Sequence, residues 1–167
     1  MLRLILVRHA KSAWDDPALT DFERPLARLG IEAAAWIGDA LTRHGLIPDR
    51  IVCSTSRRTR ETLELALSHL PANRPGPEVV WSDAVYAERD ATYLPLIAQQ
   101  GGRVAVLMLL GHNSATEETV AVLAGETNRI MGFPTAGMAV IDFRIEDWAD
   151  IAPGTGQLVR FLRPPKG

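Results

Sequence analysis

The sequence predicts an α/β fold: a three-layer α/β/α sandwich around a mostly parallel central sheet. Short runs rich in Leu, Ile and Val alternate with segments whose apolar residues recur three and four positions apart, the pattern of βαβ units. The clearest of these runs are apolar at nearly every position, as expected of strands covered on both faces. With 167 residues, of which 47% are hydrophobic, folding is expected to bury roughly 68–70% of the extended-chain surface. One domain spanning residues 1–167 is expected.

Residues 2–7 (LRLILV) are the first strand. In residues 27–44, Ile31, Ala34, Ala35, Ile37 and Leu41 fall at helical spacing and Gly45 follows as a stop. A second strand is expected over 50–53, and a helix over residues 54–71 (STSRRTRETLELALSHLP), with Leu63, Ala66, Leu67 and Leu70 on one side and Pro71 closing it. Residues 71–77 (PANRPGP) are a turn-rich loop. A third strand is placed at 78–81, a helix at 90–100 begun by Ala91-Thr92, and a strand at 103–110 (RVAVLMLL). Ser114, three residues before Glu117, predicts a capping box at the start of a helix over 114–124. Residues 138–143 and 157–162 close the chain as a hairpin-like pair of strands.

Composition excludes several classes of function. Eighteen Lys and Arg against twenty Asp and Glu give a net charge of -2, which provides no general basic field for a nucleic-acid backbone. No stretch has the length of a membrane span, and the apolar N-terminal run is too short for a signal peptide. The single cysteine, Cys53, sits in a strand-like setting and makes no internal disulfide. A cytoplasmic location is expected, with neither nucleic acid nor membrane as partner. Neither HxxxH nor paired-Cys spacing occurs, so no metal and no cofactor are expected. The four tryptophans, at 14, 36, 81 and 148, read as core and rim packing, with Trp14 closest to the candidate pocket.

Chemistry gathers where strands end. Leu6-Val7 give way to Arg8-His9, Val52-Cys53 to Ser54-Thr55-Ser56-Arg57-Arg58-Thr59, and Leu109-Leu110 to Gly111-His112-Asn113. Ligands of open α/β sheets bind in the crevice outside the carboxyl ends of the strands, so these three clusters are expected to converge. Two arginines and two histidines there form an anion pocket suited to tetrahedral phosphate, helped by helix N-termini after Ser54 and Ser114. A neutral imidazole is a competent nucleophile toward phosphorus, which nominates His9. His44 and His69, near helix C-termini, are assigned no role.

"LVRHAKSAW" (6–14), "CSTSRRTRET" (53–62) and "LLGHNS" (109–114), in this order and spacing, resemble the histidine phosphatase superfamily, the phosphoglycerate-mutase-like enzymes. The short length and "DFERPLARLG" (21–30) look like its SixA-like branch of phosphohistidine phosphatases. The resemblance implies a phosphoglycerate-mutase-like fold and a metal-independent phosphatase. It implies that His9 is the phosphorylated nucleophile, that Arg8 and Arg58 grip phosphoryl oxygens, and that His112 is the second catalytic histidine. Arg58, and not Arg57, matches the arginine of SxxxRTxxT, while Arg24 of "RPL" would rim the pocket and Ser12 would lie on the substrate side.

Two departures from the family pattern bear on substrate. Ala10 stands where many relatives have glycine, and Ala87 stands where many place a Glu that protonates an alkoxide leaving group; Glu88 is one residue off. General acid catalysis contributes about 10²–10⁴-fold, and the imidazole leaving from phosphohistidine needs it less than an alkoxide does. Protein phosphohistidine is therefore the expected substrate, and short intervals that leave little material for a lid point the same way. Two alternatives stay open: a broad small-molecule phosphomonoesterase using Glu88 or Asp90 as acid, and a phosphate-recognition module without turnover.

Overall fold

In a computed structural model, which describes residues 1–125 and 130–166, the strands are β1 (Leu2–Arg8), β2 (Arg50–Ser54), β3 (Glu78–Ser82), β4 (Val106–Gly111), β5 (Met138–Phe143) and β6 (Gly156–Leu162). They form one sheet in the order β3-β2-β4-β1-β5-β6. The first four in that order run parallel. β5 pairs antiparallel with β1, and β6 antiparallel with β5 through a register shift at Val140/Ile141, the hairpin-like ending. The helices among the described residues are α1 (Arg28–Arg43), α2 (Arg57–Ser68), α3 (Asp83–Ala87), α4 (Leu94–Gln100) and α5 (Ala115–Ala124), with 3-10 turns at Asp21–Glu23 and Trp148–Asp150.

Strand periodicity divides the core into two. Leu2, Leu4 and Leu6 of β1 face a cluster that includes Val85, Tyr93, Leu96, Ile97, Val120, Leu123 and Trp148, on the side of α3, α4 and α5. Ile5 and Val7 face the opposite cluster, built with Ala34, Ile37, Leu41, Leu63 and Ala66 of α1 and α2. This is the three-layer sandwich. Gly38 lets α1 approach α2, because a Cβ there would run into the Ala66 carbonyl. Gly45 ends α1 with φ +66°, and the Leu46 N–H donates to the Leu41 carbonyl at 2.8 Å, closing a Schellman turn.

Several features depart from the sequence expectation, among them the helix expected over 54–71, which spans Arg57–Ser68. The helix expected over 90–100 begins only at Leu94, where Pro95 in the first turn sets its start. The strand expected from Arg103 begins at Val106, because the Val104 carbonyl is taken by the Trp148 indole at 2.9 Å. A short helix, α3, occupies 83–87, where no element was expected. The Ser114 capping box does not form: the Ser114 backbone is helical and its hydroxyl caps nothing. Asn113 takes over, its Oδ1 accepting from the Glu117 N–H at 3.2 Å and its Nδ2 donating to the Glu117 carboxylate at 3.3 Å.

The tryptophans divide as well. Trp148 is fully buried and Trp36 packs against the α1–α2 cluster, whereas Trp14, at the cavity rim, and Trp81, on edge strand β3, are exposed. Cys53 is buried in β2, and burial pushes its thiol pKa up. No helix among the described residues is long and apolar enough to cross a membrane.

Candidate active site

β2, β4 and β1 are adjacent and parallel, and their carboxyl ends are level, with Arg8 opposite Gly111 and Cys53 opposite Leu110. Residues that follow these strands therefore open onto one crevice. A cavity of about 360 Å³ lies there, lined by Arg8, His9, Ser12, Arg24, Arg58 and His112 among others. All six residues singled out in the sequence reach it. The rings of His9 and His112 lie 5.2 Å apart, centroid to centroid.

His9 leaves β1 with its N–H bonded to the Gly111 carbonyl at 3.0 Å, which ties it to the end of β4. Its Nδ1 lies 2.6 Å from the Ala10 carbonyl, which can only accept, so Nδ1 carries the proton and Nε2 presents its lone pair. Arg58 Nε donates to that Nε2 at 3.4 Å. Burial, and then the positive charges of Arg58, Arg8 and Arg24, pull the His9 pKa down to about 3, with the Ala10 bond opposing them. The imidazole is therefore neutral and nucleophilic across the physiological range.

His112 is placed by its N–H, which donates to the Tyr93 hydroxyl at 2.9 Å. Arg58 Nη2 donates to His112 Nδ1 at 3.3 Å, so Nε2 bears the proton and donates to Ser54 Oγ at 2.8 Å. Burial first, then His9 and Arg58, lower its pKa to about 2. A bound phosphoryl anion would oppose this shift, favouring a second proton at Nδ1 beside the one already on Nε2.

The residues of Ser54 through Thr62 hold the site together. Ser54 accepts from His112, Thr59 Oγ1 donates to the Ser54 carbonyl at 2.8 Å, and Thr62 Oγ1 accepts from the Ala10 N–H at 3.1 Å. Arg58 is buried in the cavity while neighbouring Arg57 points outward and pairs with Glu61 at 3.2 Å. Ala10 is fully buried and its backbone stays outside the left-handed region, so its Cβ is accommodated without strain.

Arg8 donates through Nη1 to the Phe133 carbonyl at 2.8 Å, and its buried Nε has no partner. An unsatisfied buried guanidinium nitrogen in an anion pocket is a donor awaiting an acceptor. Arg24 and Ser12 are joined, Nη2 to Oγ at 2.6 Å, and the Arg24 guanidinium also lies over the Trp14 ring. Burial lowers the pKa of both Arg8 and Arg24.

The sequence did not single out Asp21. Its carboxylate accepts from Arg58 and Arg24, each at 3.1 Å, and from the Tyr86 hydroxyl at 2.7 Å. Partial burial works to raise its pKa, but Tyr86, Arg58 and Arg24 overcome this and hold it at about 2. The one available signal was its position three residues before Arg24 in "DFERPL". Tyr86, from the unexpected α3, was equally hidden. Glu88 is exposed and does not line the cavity, whereas Asp90 does. The helix N-terminus after Ser114 is also not the free donor expected, because the Ala115, Thr116 and Glu117 N–H groups bond Arg89, His112 and Asn113. No group of three or more His, Cys, Asp or Glu among the described residues is arranged to hold a metal ion.

Comparison with known proteins gives this cavity its setting. Residues 4–76 match the Histidine phosphatase superfamily (branch 1). An uncharacterised protein of Mycobacterium tuberculosis is 34% identical over 95% of this chain and 99% of its own length. The SixA protein of Agrobacterium tumefaciens superposes with a TM-score of 0.79 at 33% identity, covering 98% of this chain and 99% of that one. A SixA protein of Nakamurella shares the fold at 24% identity and TM-score 0.82, covering 98% and 96% of the two chains. The sequence, the sheet and the level strand ends around His9 thus agree, and the chain belongs to the histidine phosphatase superfamily, on its SixA-like branch, as a phosphatase.

Proposed function

We propose that the protein removes phosphoryl groups from protein phosphohistidine, carrying each transiently on His9. The observation that carries this reading is the tautomer of His9: with Nδ1–H committed to the Ala10 carbonyl, Nε2 is the one ring atom left to attack phosphorus. In the first step the His9 Nε2–P bond forms as the bond from phosphorus to the substrate imidazole breaks, and the departing nitrogen takes a proton from solvent water. Arg8, Arg58 and His112 hold the equatorial oxygens, whose charge a loose transition state spreads over all three. In the second step water attacks phosphorus, the N–P bond breaks, and inorganic phosphate leaves with His9 neutral again. Arg24 and Ser12 form the rim on the substrate side.

The choice of phosphohistidine rests on proton supply. Ala87 stands at the position where an acid was sought, Glu88 lies outside the cavity, and Asp21 is engaged by two arginines. Such a pocket suits a leaving group that departs without a strong acid. The relative from Agrobacterium, at 33% identity, is named for phosphohistidine phosphatase activity, which supports the same choice. One observation favours a second reading, a phosphomonoesterase: Asp90 lines the cavity and would be its acid.

Hydrolysis of a phosphohistidine-bearing protein and of an alkyl phosphate ester, by wild type and Asp90→Asn, separates the two. Fast turnover of phosphohistidine that Asp90→Asn leaves intact is expected. Preferential turnover of the ester, lost in Asp90→Asn, would replace this reading with the second.

A further inference from the structure

We propose that Asp21 is a positioning residue that holds the outer edges of the phosphate-binding arginines, offsets part of their charge, and thereby sets how tightly phosphate is held. The inference deepens the reading above and rests on it to the extent that the cavity receives a phosphoryl group.

A carboxylate inside an anion pocket needs a reason, because it repels the ligand. The reason lies in what it touches. Arg58 donates Nη1 to the Asp21 carbonyl at 2.7 Å and Nη2 to Asp21 Oδ2 at 3.1 Å, while its Nε faces His9 Nε2 at 3.4 Å. Asp21 thus anchors the outer edge of the guanidinium and aims its inner edge at the nucleophile. Oδ1 takes Arg24 Nη1 at 3.1 Å, and the Tyr86 hydroxyl on Oδ2 fixes the rotation of the carboxylate. The Asp21 backbone is steadied in the 3-10 turn Asp21–Glu23, where the Thr20 hydroxyl donates to Glu23 at 2.7 Å.

This arrangement has two effects. It keeps both arginines preorganised, so ordering them costs little when substrate arrives. It also competes with the anion. Arg8, Lys11, Arg24, Arg58 and Arg89 all line the cavity, and left unpaired they would hold product phosphate tightly and slow its release. Asp21, anionic throughout the working pH range, offsets two of these cations. Removing a residue that only braced its loop would weaken phosphate binding, whereas removing a competing carboxylate strengthens it.

The test is calorimetric titration of wild type, Asp21→Asn and Asp21→Glu with inorganic phosphate, beside steady-state kinetics with p-nitrophenyl phosphate. The Asp21 side chain is 43% exposed on a surface turn, so the isosteric Asn leaves the core untouched. Phosphate is expected to bind Asp21→Asn about tenfold more tightly, the scale of one charge-assisted hydrogen bond released from competition. kcat and KM for the ester should fall together, and Asp21→Glu should return phosphate affinity toward wild type. Equal or weaker phosphate binding by Asp21→Asn, with wild type binding normally, overturns this inference alone. Wild type that takes up no phosphate overturns it together with the reading of the pocket.

Discussion

Acidification below about pH 6.5 should destabilise the protein steeply, and the steepness should reside in two residues. His9 and His112 are 7% and 2% exposed, and their pKa values lie at about 3 and about 2 in the folded state. In the unfolded chain both return to near about 6.5. Because the folded values are depressed, the stability conferred by keeping these rings neutral is fully present above about 6.5 and is lost as pH falls toward the folded values. Each ring then costs about 1.4 kcal/mol per pH unit, so between about pH 7.5 and pH 5 the pair removes about 4 kcal/mol. That is a large share of the roughly 5–15 kcal/mol that holds a domain folded. Urea unfolding of wild type and of the His9→Asn, His112→Asn double variant, at both pH values, reads the difference directly. The double variant should lose about 4 kcal/mol less than wild type over the interval, whatever its stability at neutral pH. Equal losses in the two proteins would refute the claim that these rings are buried and neutral.

Further outcomes follow from the same geometry. His9→Ala should lower phosphatase turnover at least about 10³-fold while still binding inorganic phosphate, because the arginines remain; steady-state assay and calorimetry check both halves. Arg58→Lys should cost about 10²-fold or more in kcat, since an ammonium cannot face His9, His112 and Asp21 at once as the guanidinium does; the kinetics of the folded variant decide it. Glu88→Gln should leave hydrolysis of either substrate class unchanged, being exposed and outside the cavity, and a loss would return Glu88 to the mechanism. Gly38→Ala should destabilise by about 1–3 kcal/mol, measured by urea unfolding, as its Cβ meets the Ala66 carbonyl of α2 and His69 at the end of that helix.

Much of the site was legible because each strand end announces itself: an apolar run in β1, β2 or β4 stops at a polar cluster, and parallel neighbours with level ends must deliver those clusters together. Arg58 was told from Arg57 by the family pattern SxxxRTxxT and by nothing in the strand ends; the structure supplies the physical reason, since one residue of shift on a helix turns a side chain from the crevice to solvent. Asp21 was hidden because its significance is relational: nothing in a carboxylate three residues before Arg24 says that it will meet Arg58 from α2 and Tyr86 from α3. The Ser114 cap failed for a local reason: Ser114 already has helical backbone angles, φ -83° and ψ -12°, so the residue before it, Asn113, is the one placed to accept the Glu117 N–H. Val104 misled because its neighbours are strand-like, yet its carbonyl is committed to the Trp148 indole from 44 residues away.

The most direct measurement is to mix the protein with a substrate bearing a radiolabelled phosphoryl group, stop turnover with alkali on the millisecond scale, and map the label. Label on His9 that appears before free phosphate and then decays, and is absent from His9→Ala, is the expected result. Release of phosphate with no label passing through His9, or label on another residue of wild type, would contradict the role given to its Nε2.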